Sequence, residues 1–140
     1  MLTINSSKIL IADLSLIESQ FEFAASNLPQ SLNPEVSFYN RMIEVPELDR
    51  MFGVGIESTV LARVGSQEEC GPLFSCKVVV GCTVVVRAAE MQPSLEQEMI
   101  RCAVETNVGF ARTLIFQQAL QSQFPVKLII PPLSFNGKLD

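Results

Sequence analysis

The chain has 140 residues, of which 48% are hydrophobic and 18% charged, and its net charge is −5. Its length predicts one domain over residues 1–140, and its acidic balance without a basic stripe argues against nucleic-acid binding. No apolar run reaches the ~20 residues that span a bilayer and no secretory signal is apparent, so we expect a cytoplasmic protein. Abundant apolar residues in a chain that does not enter the membrane favour an obligate oligomer, a sticky binding surface, or both.

The N-terminal part predicts two strands joined by a crossover loop. Residues 9–23 alternate imperfectly, with phase changes near Asp13 and Ser19, which predicts one long strand with a bulge or bend. Asparagines and prolines punctuate residues 24–34 and predict a loop. A second strand is predicted from Pro34 to Tyr39, and residues 40–50 are predicted to form an irregular connection.

The most regular pattern in the chain predicts a long antiparallel hairpin. Apolar residues occupy the even positions of residues 52–64, apart from Ser58, and again the even positions of residues 73–87, with a polar turn at residues 65–69. Cys76 and Cys82 fall on this apolar face and are predicted to be small core residues. The four cysteines lack CxxC spacing and the chain has no histidine, so we predict no metal and no cofactor, with reduced thiols.

The C-terminal part predicts a long helix, so strands followed by a helix indicate an α+β fold with the helix on one face of an antiparallel sheet. Ser94 and Gln97 form a capping box that would open the helix. The residues expected on its buried side are Leu95, Met99, Cys102 and Ala103. Residues 105–109 interrupt the pattern, so the helix is predicted to kink there and restart before ending at Phe124-Pro125.

Residues 108–123 carry only one charge, that of Arg112. One side of this segment is apolar, and the other carries glutamines where a solvent-washed helix normally shows Lys and Glu. The pattern fits a helix covered by its own sheet and by a second subunit, and the alternative is a core helix of a monomer. The interface residues expected under the first interpretation are Val108, Ala111, Leu114, Ile115, Gln118 and Ala119.

The sequence offers no catalytic constellation. Without histidine, acid–base chemistry would fall to carboxylates, and these scatter among a loop, a turn and the first turn of the helix. Gly53 and Gly55 lie within an alternating strand and do not form a phosphate loop. We therefore predict that the protein is not an enzyme. An enzyme that uses a cysteine remains an alternative hypothesis.

Several motifs, in this order, resemble those of the SecB family of tetrameric export chaperones. Over the first half of the chain these are Phe23, Asn27-Leu28-Pro29, Pro34-Glu35-Val36 and the strand Phe74-Ser75-Cys76-Lys77-Val78. Over the second half they are Asn107-Val108, Phe110-Ala111-Arg112, Phe124-Pro125 and Pro131-Pro132-Leu133-Ser134-Phe135. The resemblance covers about residues 14–136 and depends on order and spacing rather than on one decisive motif.

The resemblance implies a four-stranded antiparallel sheet backed by the long helix, in a dimer or dimer of dimers without ATPase activity. Family members hold unfolded polypeptide clients in a hydrophobic groove, which needs apolar area and exposed backbone edges rather than a fixed polar code. The groove residues expected here are Leu32, Val36, Phe38, Phe74, Leu133 and Phe135. Each of them has an alternative interpretation as ordinary core packing.

Two departures from the family pattern affect the expected function. The acidic positions that dock on the SecA translocase motor fall at Gln20, Ala24 and Lys77, so this docking is not expected. The sequence ends five residues after Phe135, where the family's final helix follows, so that lid is expected to be absent. The leading hypothesis is an ATP-independent holdase, general or dedicated to one client such as an antitoxin. The alternative is a non-catalytic adaptor that binds one specific partner.

Overall fold

The two strands of the predicted hairpin form the centre of the sheet in the computed structural model, which describes residues 9–23, 35–46, 51–64, 74–87 and 92–121. The elements are β1 (Leu10–Phe23), β2 (Glu35–Ile43), β3 (Phe52–Val64), β4 (Phe74–Val86) and α1 (Pro93–Gln121). The strand order is β1-β4-β3-β2, and neighbouring strands are antiparallel. The helix packs on one face of this sheet, which confirms the predicted α+β architecture.

The two hairpin strands keep one register from Phe52 opposite Val86 to Val64 opposite Phe74. Their even-numbered residues from Val54 to Ala62 and from Phe74 to Val86 point toward the helix and are buried. The alternation predicted this for all of them except Ser58. The buried residues of this face are Val54, Ile56, Ser58, Val60, Ala62, Phe74, Cys76, Val78, Val80, Cys82, Val84 and Val86. Because burying one Val or Ile side chain contributes about 1.5–3 kcal/mol, this face supplies much of the drive for folding.

Strand β1 is an edge strand that pairs with β4 through two register shifts. The first lies between Ile11 and Asp13, where the sequence predicted it, and the second lies between Leu16 and Glu18, slightly before the predicted position at Ser19. Each bulge changes which residues face the helix. As a result Ile11, Leu14 and Leu16 lie opposite the helix-facing residues of β4, although their numbers differ in parity.

Strand β2 continues to Ile43, so the prediction of an irregular connection from residue 40 was wrong. The reason lies in β3, where Ser58 Oγ donates a hydrogen bond of 2.6 Å to Asn40 Oδ1. The Arg41 guanidinium also donates to both carboxylate oxygens of Glu57, at 2.9 and 3.1 Å. These cross-strand partners keep polar residues in the strand, and local sequence does not reveal them.

Helix α1 is continuous from Pro93 to Gln121, so the predicted restart near residues 105–109 was wrong. The Thr106 hydroxyl donates to Cys102 O at 2.7 Å, while the Asn107 side chain donates to the sheet. These residues therefore satisfy their polar groups without breaking the helix. The predicted end at Phe124-Pro125 lies outside the described residues.

Helix α1 begins at Pro93, one residue before Ser94, the first residue of the predicted capping box. Pro93 occupies the first helical position, where its fixed φ and missing N–H are tolerated, and Glu96 N donates to Gln92 O at 3.0 Å. Ser94 therefore lies inside the first turn. Met99 and Ala103 are buried as predicted, and Leu95 and Cys102 lie half-buried at the margin of the core.

Gly55 allows β2 and the residues after it to approach β3 closely on the face away from the helix. A Cβ at Gly55 would lie 2.7 Å from Ile43 Cγ1, 2.9 Å from Val45 Cγ2 and 3.2 Å from Ile43 O. We expect Gly55→Ala to destabilise the fold by about 1–3 kcal/mol, because the added methyl overpacks this contact. Urea or thermal unfolding measures the loss.

Gly81→Ala is the matched control in the neighbouring strand. There the added Cβ would meet Ile17 Cδ1 at 3.0 Å, which is the end of a side chain that is 53% exposed and can rotate away. We expect a loss below about 1 kcal/mol. Equal losses for the two variants would contradict the close approach at Gly55.

Candidate functional site

Strand β1 exposes an apolar surface that its own helix does not cover. The β1 apolar strip consists of Leu10 (59% exposed), Ile11 (51%), Leu14 (37%), Leu16 (43%) and Ile17 (53%). Helix α1 packs over β3 and β4 and makes few contacts with β1, so this strip stays open. Single exposed apolar residues are ordinary, but five on one edge strand indicate a contact surface.

The strip extends over both faces of the strand. Ile11, Leu14 and Leu16 lie on the helix side, opposite Val84, Cys82 and Val80. Leu10 lies opposite Val85 on the other face, and Ile17 Cδ1 lies above Gly81. A partner that covers the whole strip must therefore reach around the sheet edge.

The opposite edge of the sheet has a different character. Strand β2 keeps an unbroken register with β3 over its whole length, and no strand among the described residues pairs with its other side. Met42 is 46% exposed on the helix side and Tyr39 is 48% exposed on the other side. We call residues 35–43 the β2 edge. It combines unpaired backbone groups with partly exposed apolar side chains, which suits an extended peptide.

The residues predicted for client binding divide into three groups. Val36 and Phe38 lie half-buried on the β2 edge and pack against the core. Phe74 is completely buried in the core cluster under the helix, and its assignment to the groove stays a prediction. Leu32, Leu133 and Phe135 lie outside the described residues. Sequence reasoning missed Tyr39 and Met42, although the alternation of Phe38 and Met42 across Asn40 could have indicated the longer strand.

The residues predicted for the oligomer interface also divide. Those covered by the sheet of their own chain are Val108, Ala111, Ile115 and Ala119, each at most 5% exposed. The sheet of the same chain therefore occupies the continuous apolar face of the helix, and the assignment of these residues to an oligomer interface stays a prediction.

Leu114 and Gln118 belong to a different row of the helix, which we call the neutral stripe. Its members are half-buried, uncharged and spaced by four residues, and they are Cys102, Thr106, Phe110, Leu114 and Gln118. Phe116, which sequence reasoning missed, is 42% exposed elsewhere on the helix. A second copy could reach these side chains without displacing the sheet.

The positions expected to lack the acidic charges of motor docking lie side by side. Gln20 is opposite Lys77 in the β1–β4 register. Lys77 Nζ contacts Glu18 Oε2 at 3.0 Å, and Gln20 Nε2 donates to Glu18 Oε1 at 3.2 Å. Each side chain of the Lys77–Glu18 ion pair is about 40% exposed. The two docking positions themselves, Gln20 and Lys77, carry no acidic residue. Ala24 lies outside the described residues.

No protein-family model and no curated protein sequence matches the chain. Its structure is similar to that of the SecB-like chaperone of Mycobacterium tuberculosis solved in complex with a ChAD peptide from the HigA1 antitoxin. The TM-score is 0.63 at 13% identity, and the match covers 94% of this chain and 91% of that chain. The chain has the SecB-like fold. This confirms, at the level of the fold, the resemblance drawn from the sequence motifs.

Cys76 and Cys82 of this SecB-like fold lie in the core, as predicted. Burial raises the pKa of the Cys76 thiol to about 11. For Cys82, burial and then the nearby Cys102 and Asp13 together raise the pKa to about 11. Both thiols are therefore protonated at neutral pH and are poor nucleophiles. Among the described residues no cluster of three or more His, Cys, Asp or Glu side chains could hold a metal ion, and no helix is long and apolar enough to cross a membrane.

Raised thiol pKa values predict a loss of stability at alkaline pH. Between pH 9 and 11 the unfolded chain loses these protons while the folded chain keeps them, so the free energy of unfolding falls as pH rises. Below the ordinary thiol pKa of 9.0 this contribution is fully present. Urea unfolding across this range should show a shallower pH dependence in Cys76→Ala/Cys82→Ala than in the wild type.

Val80→Ala is the control, because it removes buried side-chain volume from the same face of β4 without removing a thiol. Its alkaline slope should match that of the wild type. The difference between the slopes of the double variant and the control therefore reports the two core thiols. An unchanged slope in the double variant would contradict the assignment.

Proposed function

We propose that the protein is an ATP-independent holdase that binds unfolded or partly folded polypeptide along the β2 edge. The observation that carries this proposal is the unbroken register of β2 on one side and its lack of a strand partner among the described residues on the other. Unpaired N–H and C=O groups along such an edge bind extended backbone of any sequence. Phe38 and Met42 on the helix side then offer apolar contact to alternate side chains of the client.

Strand β1 is the less suitable edge for an extended client. Its two bulges interrupt the regular spacing of backbone groups, which added strands need. The β1 apolar strip also has more exposed apolar side chains than the β2 edge. A closely spaced apolar surface suits one fixed partner. We therefore assign β1 and the neutral stripe to a second copy of the chain, in a dimer or dimer of dimers.

The neighbouring fold supports a polypeptide as the client. The mycobacterial SecB-like chaperone was solved with a peptide from an antitoxin, so an antitoxin is a candidate class of dedicated client for this chain. The docking positions Gln20 and Lys77 are not acidic, and Lys77 pairs with the neighbouring Glu18. The acidic surface that motor docking uses is therefore missing at these positions, which supports client holding without the SecA motor. The proposed location is the cytoplasm, where unfolded clients and reduced thiols occur.

The first test is suppression of aggregation. Incubation with a slow-folding protein at near-stoichiometric ratio, without ATP, should suppress the rise in light scattering. Met42→Lys should weaken suppression several-fold, because a charge on the helix side of the β2 edge opposes an apolar client strand. Ser37→Lys is the control, since it adds the same charge to the same strand on the opposite face.

Two results would contradict the holdase proposal. One is no suppression by the wild type, and the other is equal weakening by Met42→Lys and Ser37→Lys. Affinity purification from cells followed by mass spectrometry determines client range. A single stoichiometric partner together with no holdase activity would establish the adaptor alternative on the same edge.

The second test concerns assembly. We expect light scattering to find a dimer or tetramer at micromolar concentration. Leu14→Glu/Leu16→Glu should shift it to a smaller species and keep the fold, because both side chains are already 37–43% exposed. Ser37→Glu is the control, since Ser37 is exposed on β2, at the opposite edge of the sheet.

Leu114→Glu tests the neutral stripe separately, with circular dichroism to confirm that the half-buried position tolerates the charge. An intact oligomer in this variant would remove the stripe from the interface. A wild-type monomer at micromolar concentration would overturn the assembly proposal as a whole.

A further inference from the structure

The two sides of strand β2 present different chemistry to a strand that pairs with the β2 edge. Even-numbered residues of β2 stand opposite the even-numbered residues of β3, which face the helix. Odd-numbered residues point to the other side of the sheet, because side chains alternate along a strand. An added strand alternates in the same way, so one row of its side chains lies beside the even row of β2 and the other beside the odd row.

The even row offers an apolar surface. Val36 and Phe38 are half-buried and pack against the core, and Met42 is 46% exposed. Asn40 is the polar member of this row, but it is only 5% exposed and its Oδ1 accepts a hydrogen bond of 2.6 Å from Ser58 Oγ in β3. A neighbouring strand therefore meets apolar side chains on this side, because the carbonyl of Asn40 is already bonded within the sheet.

The odd row is polar along most of its length. Its exposed members are Glu35, Ser37, Tyr39 (48%) and Arg41, whose side chain is 62% exposed. The Arg41 guanidinium donates to both carboxylate oxygens of Glu57, at 2.9 and 3.1 Å, so an ion pair stands beside the open edge. Ile43 ends the row, and its side chain lies over Gly55 in β3. A neighbouring strand therefore meets polar and charged groups on this side.

The charges of the odd row and of its β3 partners balance. Glu35 stands opposite Arg63, and Arg41 stands opposite Glu57, so two acidic residues accompany two basic ones. The row therefore favours neither sign of charge in a client. An apolar client side chain beside the Arg41–Glu57 pair would take water away from charged groups and give no hydrogen bond in return, whereas an uncharged polar side chain can donate or accept one.

We propose that the β2 edge selects extended polypeptide segments in which apolar and uncharged polar side chains alternate, with the apolar side chains on the helix side. Backbone hydrogen bonds along the edge are indifferent to sequence, whereas the two rows distinguish the order of the client's side chains. A segment that carries its apolar residues in pairs would place one residue of each pair beside the odd row. This inference rests on the proposed function, because it requires the client to lie along the β2 edge.

The test compares two fluorescently labelled peptides of identical composition, nine residues long to match β2. In the first peptide threonine and valine alternate, and in the second the same residues are ordered in pairs. Threonine and valine are similar in shape and both favour strands, so the two peptides differ only in pattern. Fluorescence anisotropy with the full chain should show about tenfold tighter binding of the alternating peptide, because its valines all lie beside the even row.

Ser37→Val tests the odd row, because it replaces a polar side chain of that row with an apolar one. This variant should bind the paired peptide more tightly than the wild type does, so the preference for the alternating peptide should narrow several-fold. Ser75→Val is the matched control, since Ser75 lies on the same face of the sheet but in β4, which is paired on both sides. It should keep the wild-type preference.

Equal binding of the two peptides, or tighter binding of the paired one, would overturn the proposed selectivity, and so would an unchanged preference in Ser37→Val. Binding of neither peptide also overturns it. Suppression of aggregation by the same preparation shows separately whether the holdase proposal stands, because that assay does not depend on the pattern of one client segment.

Discussion

The burial of one face of the β3–β4 hairpin under a single helix is the constraint on which the rest of the structure depends. A helix is about 10–12 Å wide with its side chains, and neighbouring strands lie about 4.8 Å apart. A four-stranded sheet therefore measures about 14 Å between its edge strands, and one helix over β3 and β4 cannot cover both edges. On the helix side, the uncovered edges are where large apolar side chains such as Ile11, Leu16 and Met42 are exposed.

The two edges left open by this geometry differ in ways that suit different partners. Strand β1 is bulged and carries a dense apolar strip, whereas β2 is regular and carries fewer exposed apolar side chains. A bulged edge resists indiscriminate strand addition, and its apolar area favours one fixed surface. A regular edge accepts extended backbone whatever its sequence. Under the proposed function, these two edges would give assembly and client holding separate surfaces on one small sheet.

Asn107, Ser58 and Asn40 form a buried hydrogen-bonded chain that joins helix α1 to β3 and β2. The amide of Asn107 donates to Ser58 and to Ile56 O and so adds directional contacts to a core that is otherwise mostly apolar. Its Oδ1 has no hydrogen-bond partner among the residues that the structure describes, so this arrangement has a cost in stability. Cys76 and Cys82, by contrast, act as small apolar residues with protonated thiols.

Local periodicity in the sequence was sufficient to predict four features, because each depends on the spacing of side chains within one element. These are the hairpin, the core positions of Cys76 and Cys82, the bulge near Asp13 and the existence of the helix. The extent of β2 and the continuity of α1 were decided by partners distant in sequence. Ser58 satisfies Asn40 across 18 residues and Asn107 across 49. Exposure, too, was decided only by tertiary structure. Alternation places Phe74, Val108 and Met42 on apolar faces, but the position of one helix over four strands buries the first two and leaves Met42 open.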